Sequence, residues 1–170
     1  KLQPYNFFTW SSGKKSPIYC DNRLILSYIQ ERNIIRDLFC KYIKNEFQLI
    51  DYIAGVATGA IAHGMLVASE LNLPFIYIRD KAKAHGRQNQ IEGHLKTESN
   101  VIVIEDLIST GQSSIKAIKA IEESGAKVSG LISIFTYEIS DLKQINTPVV
   151  SLCNYSTLLD IAIKKKIITE

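Results

Sequence analysis

A chain of 170 residues, 46% of them hydrophobic and 22% charged, has the length and composition of one globular domain with a buried core. This balance excludes a disordered or collagen-like protein, and no apolar run approaches the roughly 18 residues that cross a bilayer, so we expect no membrane partner. The net charge of +3 is too small to indicate a nucleic-acid-binding protein, and we expect no nucleic acid as partner.

Predicted helices and strands alternate after a loop-like amino-terminal stretch. Residues 1–22 are rich in Ser, Gly, Pro and aromatic residues, which predicts loop and short extended pieces. Over residues 23–47 apolar residues recur at helical spacing, as one long helix or two shorter ones. The following elements are a strand over 49–56, a helix over 60–71 closed by Asn72 and Pro74, a strand over 74–79, and a polar, basic loop over 80–99.

The second half of the chain continues the alternation. We predict a strand over 101–104, a helix over 112–124 ending at Gly125, strands over 127–135 and 149–152, and a final helix that Ser156 caps and that runs through Lys166. Strands alternating with helices indicate βαβ units, and hence a single α/β domain over 1–170 with a mostly parallel sheet flanked by helices. Such sheets bind ligands at the carboxyl ends of their strands, so the residues just after Val56, Ile78 and Ile104 should converge.

The run from Val101 to Ser114 combines an acid pair with a phosphate-binding turn. Glu105 and Asp106 directly follow four apolar strand residues, and small and hydroxyl residues lead from them into a predicted helix. Free backbone N–H groups and the positive end of a helix dipole bind phosphate, and Thr110 and Ser113 can donate hydroxyl hydrogen bonds. An ordinary strand-to-helix turn with two exposed acids is the alternative. The full run favours a sugar phosphate, whose ribose hydroxyls bond the carboxylates.

Val101 to Ser113 resembles the signature of the type I phosphoribosyltransferases: four apolar residues, two acids, two apolar residues, two small hydroxyl residues, Gly, any residue and Ser. The resemblance implies the fold of that family, with a small amino-terminal hood, and binding of phosphoribosyl pyrophosphate. It implies that Glu105 and Asp106 contact the ribose hydroxyls. The phosphoribosyl pyrophosphate-binding residues that it implies, over the whole chain, are Thr58, Gly59, Arg79, Lys83, His85, Glu105, Asp106, Leu107, Ile108, Ser109, Thr110, Gly111, Gln112 and Ser113.

The segment from Phe8 to Arg23 mixes aromatic residues, a Ser-Gly turn and cations. Cations suit a planar anionic ligand and aromatic faces suit stacking, although a basic surface loop has the same composition. The order Ser-Gly-x-x-Ser-Pro-x-Tyr-x-Asp-x-Arg resembles the amino-terminal hood of the orotate phosphoribosyltransferases, which places the hood over residues 1–23. The resemblance implies a set of orotate-binding residues, namely Ser12, Lys14, Tyr19, Arg23 and Ser109.

The basic stretch after the second strand has the order Arg-x-x-x-Lys-x-His-Gly, from Arg79 to Gly86. Charge alone is typical of a solvated surface loop. The order resembles the mobile catalytic loop of the orotate enzymes, which we expect over 79–99 and which implies closure over a neighbouring subunit's active site. There the cations would neutralise departing pyrophosphate, with Lys83 or His85 as proton donor. The implied catalytic residues are Arg79, Lys83, His85 and Asp106.

Two positions depart from the family pattern. The loop that contacts pyrophosphate usually reads Thr-Ala-Gly, whereas Thr58 is followed here by Gly and Ala. Some orotate enzymes place an arginine at the end of the fourth strand, where this chain has Phe135-Thr136-Tyr137. Arg23 and Lys14 are the alternatives for the missing positive charge.

The resemblance as a whole implies an orotate phosphoribosyltransferase, a pentosyltransferase of pyrimidine biosynthesis that uses Mg²⁺ held mainly through its substrate. One alternative is a phosphoribosyltransferase for another base, which the hood and the basic loop disfavour. The other is a non-catalytic regulator that binds phosphoribosyl pyrophosphate, which would be expected to carry a DNA-binding module. We expect a homodimer with shared active sites. An odd number of widely spaced cysteines indicates free thiols and a cytoplasmic protein.

Overall fold

The computed structural model describes residues 8–9, 15–16, 18–80, 90–139, 142 and 146–168. The helical elements are a 3-10 helix (Asn22–Ser27), α1 (Ile29–Glu46), α2 (Ala60–Leu71), α3 (Gln112–Glu123) and α4 (Tyr155–Lys164). The strands are β1 (Phe8–Thr9), β2 (Lys15–Ser16), β3 (Tyr52–Val56), β4 (Phe75–Ile78), β5 (Ile91–Glu92), β6 (Asn100–Ile108), β7 (Lys127–Thr136) and β8 (Val149–Asn154).

Within these residues, six strands form one sheet in the order β5-β4-β3-β6-β7-β8. Every neighbouring pair is parallel except β4 and β5, so the predicted α/β fold with a mostly parallel sheet is confirmed. From β3 the chain steps outward to β4 and β5, and from β6 it steps in the opposite direction to β7 and β8. The switch point of the topology therefore lies between β3 and β6, where ligands of such sheets bind.

Helices cover both faces of the sheet. The alternating side chains of β6 divide between two hydrophobic clusters, because successive residues of a strand point to opposite faces. Val101 and Val103 pack with residues of α3, whereas Ile102 and Ile104 pack with residues of α1 and α2. All four are fully buried, which explains the continuous apolar run. Among the described helices, none has both the length and the apolar character needed to cross a membrane.

The helical region predicted over 23–47 divides into two helices at Tyr28, whose backbone is extended (φ −107°, ψ 104°). The helix over 60–71 has the predicted bounds. Asn72 ends it in the left-handed conformation (φ 53°, ψ 44°), and its N–H bonds to the last turn of the helix.

Several predicted boundaries are wrong: β3 begins at Tyr52 and not at 49, β8 ends at Asn154 and not at 152, and two further differences have causes in distant contacts. The strand predicted over 101–104 continues to Ile108, because β7 lies beside it as far as the pair Ile108–Thr136. Glu105 and Asp106 are therefore strand residues. Asn154, and not Ser156, caps the final helix, which ends at Lys164: the Asn154 side chain accepts a 2.8 Å hydrogen bond from the Thr157 N–H.

Ser156 is engaged elsewhere. Its hydroxyl and its backbone N–H both donate to the Glu138 carboxylate, at 2.5 and 2.9 Å. The side chain that the sequence pattern selected as a helix cap instead connects the start of α4 to the segment after β7.

Candidate active site

A cavity of about 700 Å³ opens at the carboxyl ends of β3 and β6. Of the described residues, its lining comes from the hood, the β3–α2 loop, the acid pair with the following turn, and the end of β7. The lining residues are Thr9, Tyr19, Cys20, Asp21, Arg23, Val56, Ala57, Thr58, Gly59, Glu105, Asp106, Leu107, Ser109, Thr110, Ser113 and Tyr137. The predicted convergence is confirmed for the segments after Val56 and Ile104, whereas Arg79 and Asp80, the described residues directly after Ile78, are not part of the lining.

The turn from Ser109 to Ser113, which the sequence predicts to bind phosphate, forms part of the cavity wall. Gly111 has a left-handed backbone (φ 80°), which glycine adopts without the steric cost that a side chain brings, and α3 begins at the next residue. The Ser109 hydroxyl accepts a 2.6 Å hydrogen bond from the Thr110 N–H. Hydroxyl groups and the positive end of α3 therefore meet at the cavity, an arrangement that binds anions.

Glu105 lies at the back of the cavity, only 4% exposed. Its carboxyl group accepts a 3.0 Å hydrogen bond from the Ser114 hydroxyl. Burial, with a smaller contribution from the neighbouring Asp106, raises the pKa of Glu105 to about 8. In the free protein at neutral pH, this carboxyl group is therefore mostly protonated.

Asp106 is the more accessible acid of the pair, and burial raises its pKa as well. Its carboxylate packs against Gly59 so closely that a β-carbon at that position would overlap it. Glycine at position 59, the position where the family pattern usually has alanine, thus has a steric reason. The Ala57–Thr58 peptide in the same loop is cis.

The end of the hood docks on the end of β7. Ile18, which is buried, packs with Phe135 and Tyr137 in a small hydrophobic cluster. The Cys20 N–H donates a 3.0 Å hydrogen bond to the Tyr137 hydroxyl. These contacts hold the hood segment beside the cavity.

Two predicted orotate-binding residues of the hood line the cavity. Tyr19 contacts the ring of Phe8, with ring centroids 5.7 Å apart. Arg23 forms a two-pronged ion pair with Asp21, with nitrogen–oxygen distances of 2.7 and 3.0 Å. The resulting wall presents an aromatic face beside a guanidinium group that is already partly neutralised.

Sequence reasoning missed Tyr137 as a site residue. It lies just beyond β7, where some family members have an arginine, and it lines the cavity with only 5% of its surface exposed. Its ring packs edge-on against Phe135, at a centroid distance of 5.3 Å. The signal that could have found it was its position at the carboxyl end of a parallel strand.

The basic loop is described only at its two ends. Arg79 lies just after β4 and forms a 3.5 Å ion pair with Glu92 of β5; its side chain does not line the cavity. Lys83 and His85 lie outside the described residues, as do Ser12 and Lys14 of the hood. The roles of all these residues, and the hood and loop boundaries, stay predictions.

Of the remaining residues predicted to bind phosphoribosyl pyrophosphate, some line the cavity and others lie outside its lining. Leu107 lines the cavity, whereas Ile108 is buried in the core beneath it. Gln112 is the first residue of α3 and is exposed. Within the described part of the chain, no three His, Cys, Asp or Glu side chains group together in a way that could hold a metal ion.

Comparison with known proteins identifies the family. A family model described as phosphoribosyl transferase domain matches residues 26–162. The chain is 51% identical to the orotate phosphoribosyltransferase of Phocaeicola vulgatus and 49% identical to that of Bacteroides thetaiotaomicron, in alignments covering the whole chain and 82% of each relative. The crystal structure of orotate phosphoribosyltransferase from Aeropyrum pernix superimposes with a TM-score of 0.85 at 26% identity, covering 99% of this chain and 93% of that one. The chain belongs to the orotate phosphoribosyltransferase family.

Proposed function

We propose that the protein transfers the phosphoribosyl group of phosphoribosyl pyrophosphate to orotate, yielding orotidine 5′-phosphate and diphosphate. One observation carries this proposal: a single cavity is lined by Arg23 of the hood, by Asp106, and by the hydroxyl-rich turn at the start of α3. A cavity of about 700 Å³ has the size of sites that enclose small-molecule ligands. The names of relatives about half identical to this chain support orotate as the base.

The sugar phosphate would lie along the β6 side of the cavity. In this arrangement the turn from Ser109 to Ser113 holds the 5′-phosphate, and Asp106 accepts hydrogen bonds from the ribose hydroxyls. As the bond between the ribose C1′ and the diphosphate oxygen breaks, positive charge develops on the ring, and the nearby carboxylate stabilises it. Orotate N1 then forms the new bond to C1′.

The base would lie under the hood. Tyr19 and Tyr137 offer apolar ring surface to the planar base, and Arg23 is the described cation lining the cavity that can approach its carboxylate. Orotate bound with N1 deprotonated needs no protein base, so the main contribution of these residues is orientation. Lys14 is the alternative cation.

The basic loop would act on the leaving group. Lys83 and His85 are the proposed partners of the departing diphosphate, and the ion pair between Arg79 and Glu92 holds one end of the loop to the sheet. Magnesium carried by the diphosphate would neutralise its charge. Asp106 provides hard carboxylate oxygens of the kind that Mg²⁺ accepts, so the described site suits an ion that enters with the substrate.

The proposed assembly is a cytoplasmic homodimer in which the basic loop reaches the neighbouring active site. The junction of the 3-10 helix and α1 supports an association, because Leu24, Tyr28 and Ile29 are 57%, 61% and 63% exposed there. Large apolar side chains grouped on a surface are typical of protein interfaces.

A spectrophotometric assay tests the activity. Purified protein is mixed with Mg²⁺, phosphoribosyl pyrophosphate and orotate, and loss of orotate absorbance is followed. We expect consumption that requires all three components. Absence of consumption, together with turnover of adenine or hypoxanthine under the same conditions, would assign the protein to another base.

A further inference from the structure

Asn22 is a buried polar residue that joins the hood to the acid pair. It is 6% exposed at the start of the 3-10 helix. Its side-chain nitrogen donates a 2.6 Å hydrogen bond to the backbone carbonyl of Asp106, and its side-chain oxygen lies 3.2 Å from the Cys20 sulfur, which donates to it. Both polar atoms of the amide therefore form hydrogen bonds, and the partner of the nitrogen, Asp106, lies 84 residues away in the sequence.

The carbonyl that Asn22 contacts lies in the part of β6 that extends beyond the pairing with β3. The registered pairing of β3 with β6 ends at Gly55 and Ile104, so the stretch that carries the two acids extends beyond its neighbour on that side. A backbone carbonyl partly shielded from water needs a hydrogen-bond donor, and Asn22 supplies one to Asp106 where the pairing with β3 has ended. The hydrogen bond from Asn22 fixes the backbone at Asp106, and that backbone sets the direction in which the Asp106 side chain points.

Helix α2 holds Asn22 from the other side. His63, which is 2% exposed, lies one helical turn after Gly59, and its Nε2 is 3.4 Å from the backbone carbonyl oxygen of Asn22. When Nε2 carries the proton, it donates to that oxygen. The same helix begins at the loop where Gly59 packs against the Asp106 carboxylate. The hood, α2 and the acid pair thus meet at Asn22.

We propose that Asn22 is a positioning residue that orients Asp106 toward the ribose, and that His63 supports it. Asn22 does not line the cavity, so it acts through the Asp106 backbone and not on the substrate. The inference rests on the proposed function, because it assigns the ribose of phosphoribosyl pyrophosphate to Asp106.

Replacing Asn22 by leucine tests the proposal, since leucine has a similar volume but no donor. The protein is titrated with phosphoribosyl pyrophosphate in the presence of Mg²⁺ and without orotate, and binding is measured by calorimetry. Leaving the partly buried Asp106 carbonyl without its partner should weaken binding in N22L by about 10- to 100-fold. In steady-state assays, kcat should fall and KM for phosphoribosyl pyrophosphate should rise, while KM for orotate stays unchanged.

Two variants of α2 complete the design. H63L should weaken binding in the same direction as N22L but less, whereas H63Q should restore it, because the glutamine amide nitrogen replaces the Nε2 donor. V67A is the matched control: Val67 is buried one turn further along the same helix, away from the cavity, so its truncation lowers Tm without changing substrate affinity.

Unchanged binding in N22L would overturn the proposal, as would a loss in V67A as large as that in N22L. A change confined to KM for orotate would also overturn it, because Asn22 would then only shape the hood. Failure of the wild-type protein to consume orotate would contradict the proposed function instead, and the calorimetric comparison would still decide the role of Asn22.

Discussion

Glu105 and Asp106 are adjacent in sequence but occupy different environments. Glu105 is enclosed and accepts a hydrogen bond from Ser114, whereas Asp106 borders the cavity beside Gly59. The first acid is mostly neutral in the free protein at neutral pH, and the second is the better placed to accept bonds from a sugar. Their protonation and accessibility therefore differ, although the sequence motif presents them as an equivalent pair.

The buried carboxyl of Glu105 makes the stability of the free protein depend on pH. Its folded-state pKa, about 8, is above the ordinary value of 4.5, so between these values the folded protein keeps a proton that the unfolded chain has released. The free energy of unfolding therefore falls as pH rises through this window, by a few kcal/mol at most. Glu105→Gln removes this titration, so its Tm should decline less than that of the wild type between pH 5 and pH 9, as measured by thermal melts. Curves that stay parallel would contradict the assignment.

Asp106 is expected to matter for turnover more than for stability. Asp106→Asn keeps the shape of the side chain but removes the charge that, in the proposed reaction, stabilises the ribose in the transition state. We expect kcat/KM for phosphoribosyl pyrophosphate to fall by about 100- to 1,000-fold, in line with the loss of one preorganised electrostatic contact. Tm should not decrease, because burial disfavours the charged form. Asp160→Asn, at an exposed position of α4, is the control, and equal activity of the two variants would refute the role.

At the scale of the elements, the β3–α2 loop and the acid pair form one packed unit. Gly59→Ala introduces a β-carbon into the space of the Asp106 carboxylate, so it should lower both Tm and activity. Because the overlap is with one side chain, the loss of Tm should be smaller when Gly59→Ala is made in an Asp106→Ala background. Thermal melts of the four proteins of this double-mutant cycle measure the coupling, and additive changes would show that the two residues do not meet.

Elements governed by local signals were predictable from the sequence, and those governed by distant partners were not. Helix α2 has its predicted bounds because its apolar spacing and Asn72 are local. The length of β6 depends on pairing with β7, which lies farther along the chain, so the predicted end at 104 was too early. Ser156 was an eligible cap by residue type, but its position leaves it bonded to Glu138.

The residues of the candidate active site divide in the same way, into those set by local sequence and those set by distant contacts. The motif from Val101 to Ser113 indicated the acid pair and the hydroxyl-rich turn that line the cavity, because both lie in one continuous segment. Tyr137 as a lining residue and Asn22 as a proposed positioning residue were missed, because their contacts are with residues far away in sequence: Cys20 is 117 residues from Tyr137. Burial alone distinguishes Glu105 from Asp106, and burial is a property of the folded chain.

At the scale of the whole molecule, the proposed sharing of active sites between subunits can be tested by mixing inactive chains. Lys83→Ala alters the predicted catalytic loop, and Asp106→Asn removes the proposed ribose contact. If the loop serves the neighbouring subunit, a dimer with one chain of each kind has one intact site. After refolding together in equal amounts, about a quarter of wild-type activity should return. No regained activity would indicate subunits whose sites are self-contained.

Orotate is the base that the proposed function assigns to this protein. The most direct measurement supplies orotate, adenine and hypoxanthine together at equal concentrations, with phosphoribosyl pyrophosphate and Mg²⁺, and identifies the nucleotide products by mass spectrometry. The proposed function predicts orotidine 5′-phosphate as the dominant product, formed in equal amount with diphosphate. Adenosine or inosine monophosphate as the dominant product would contradict it.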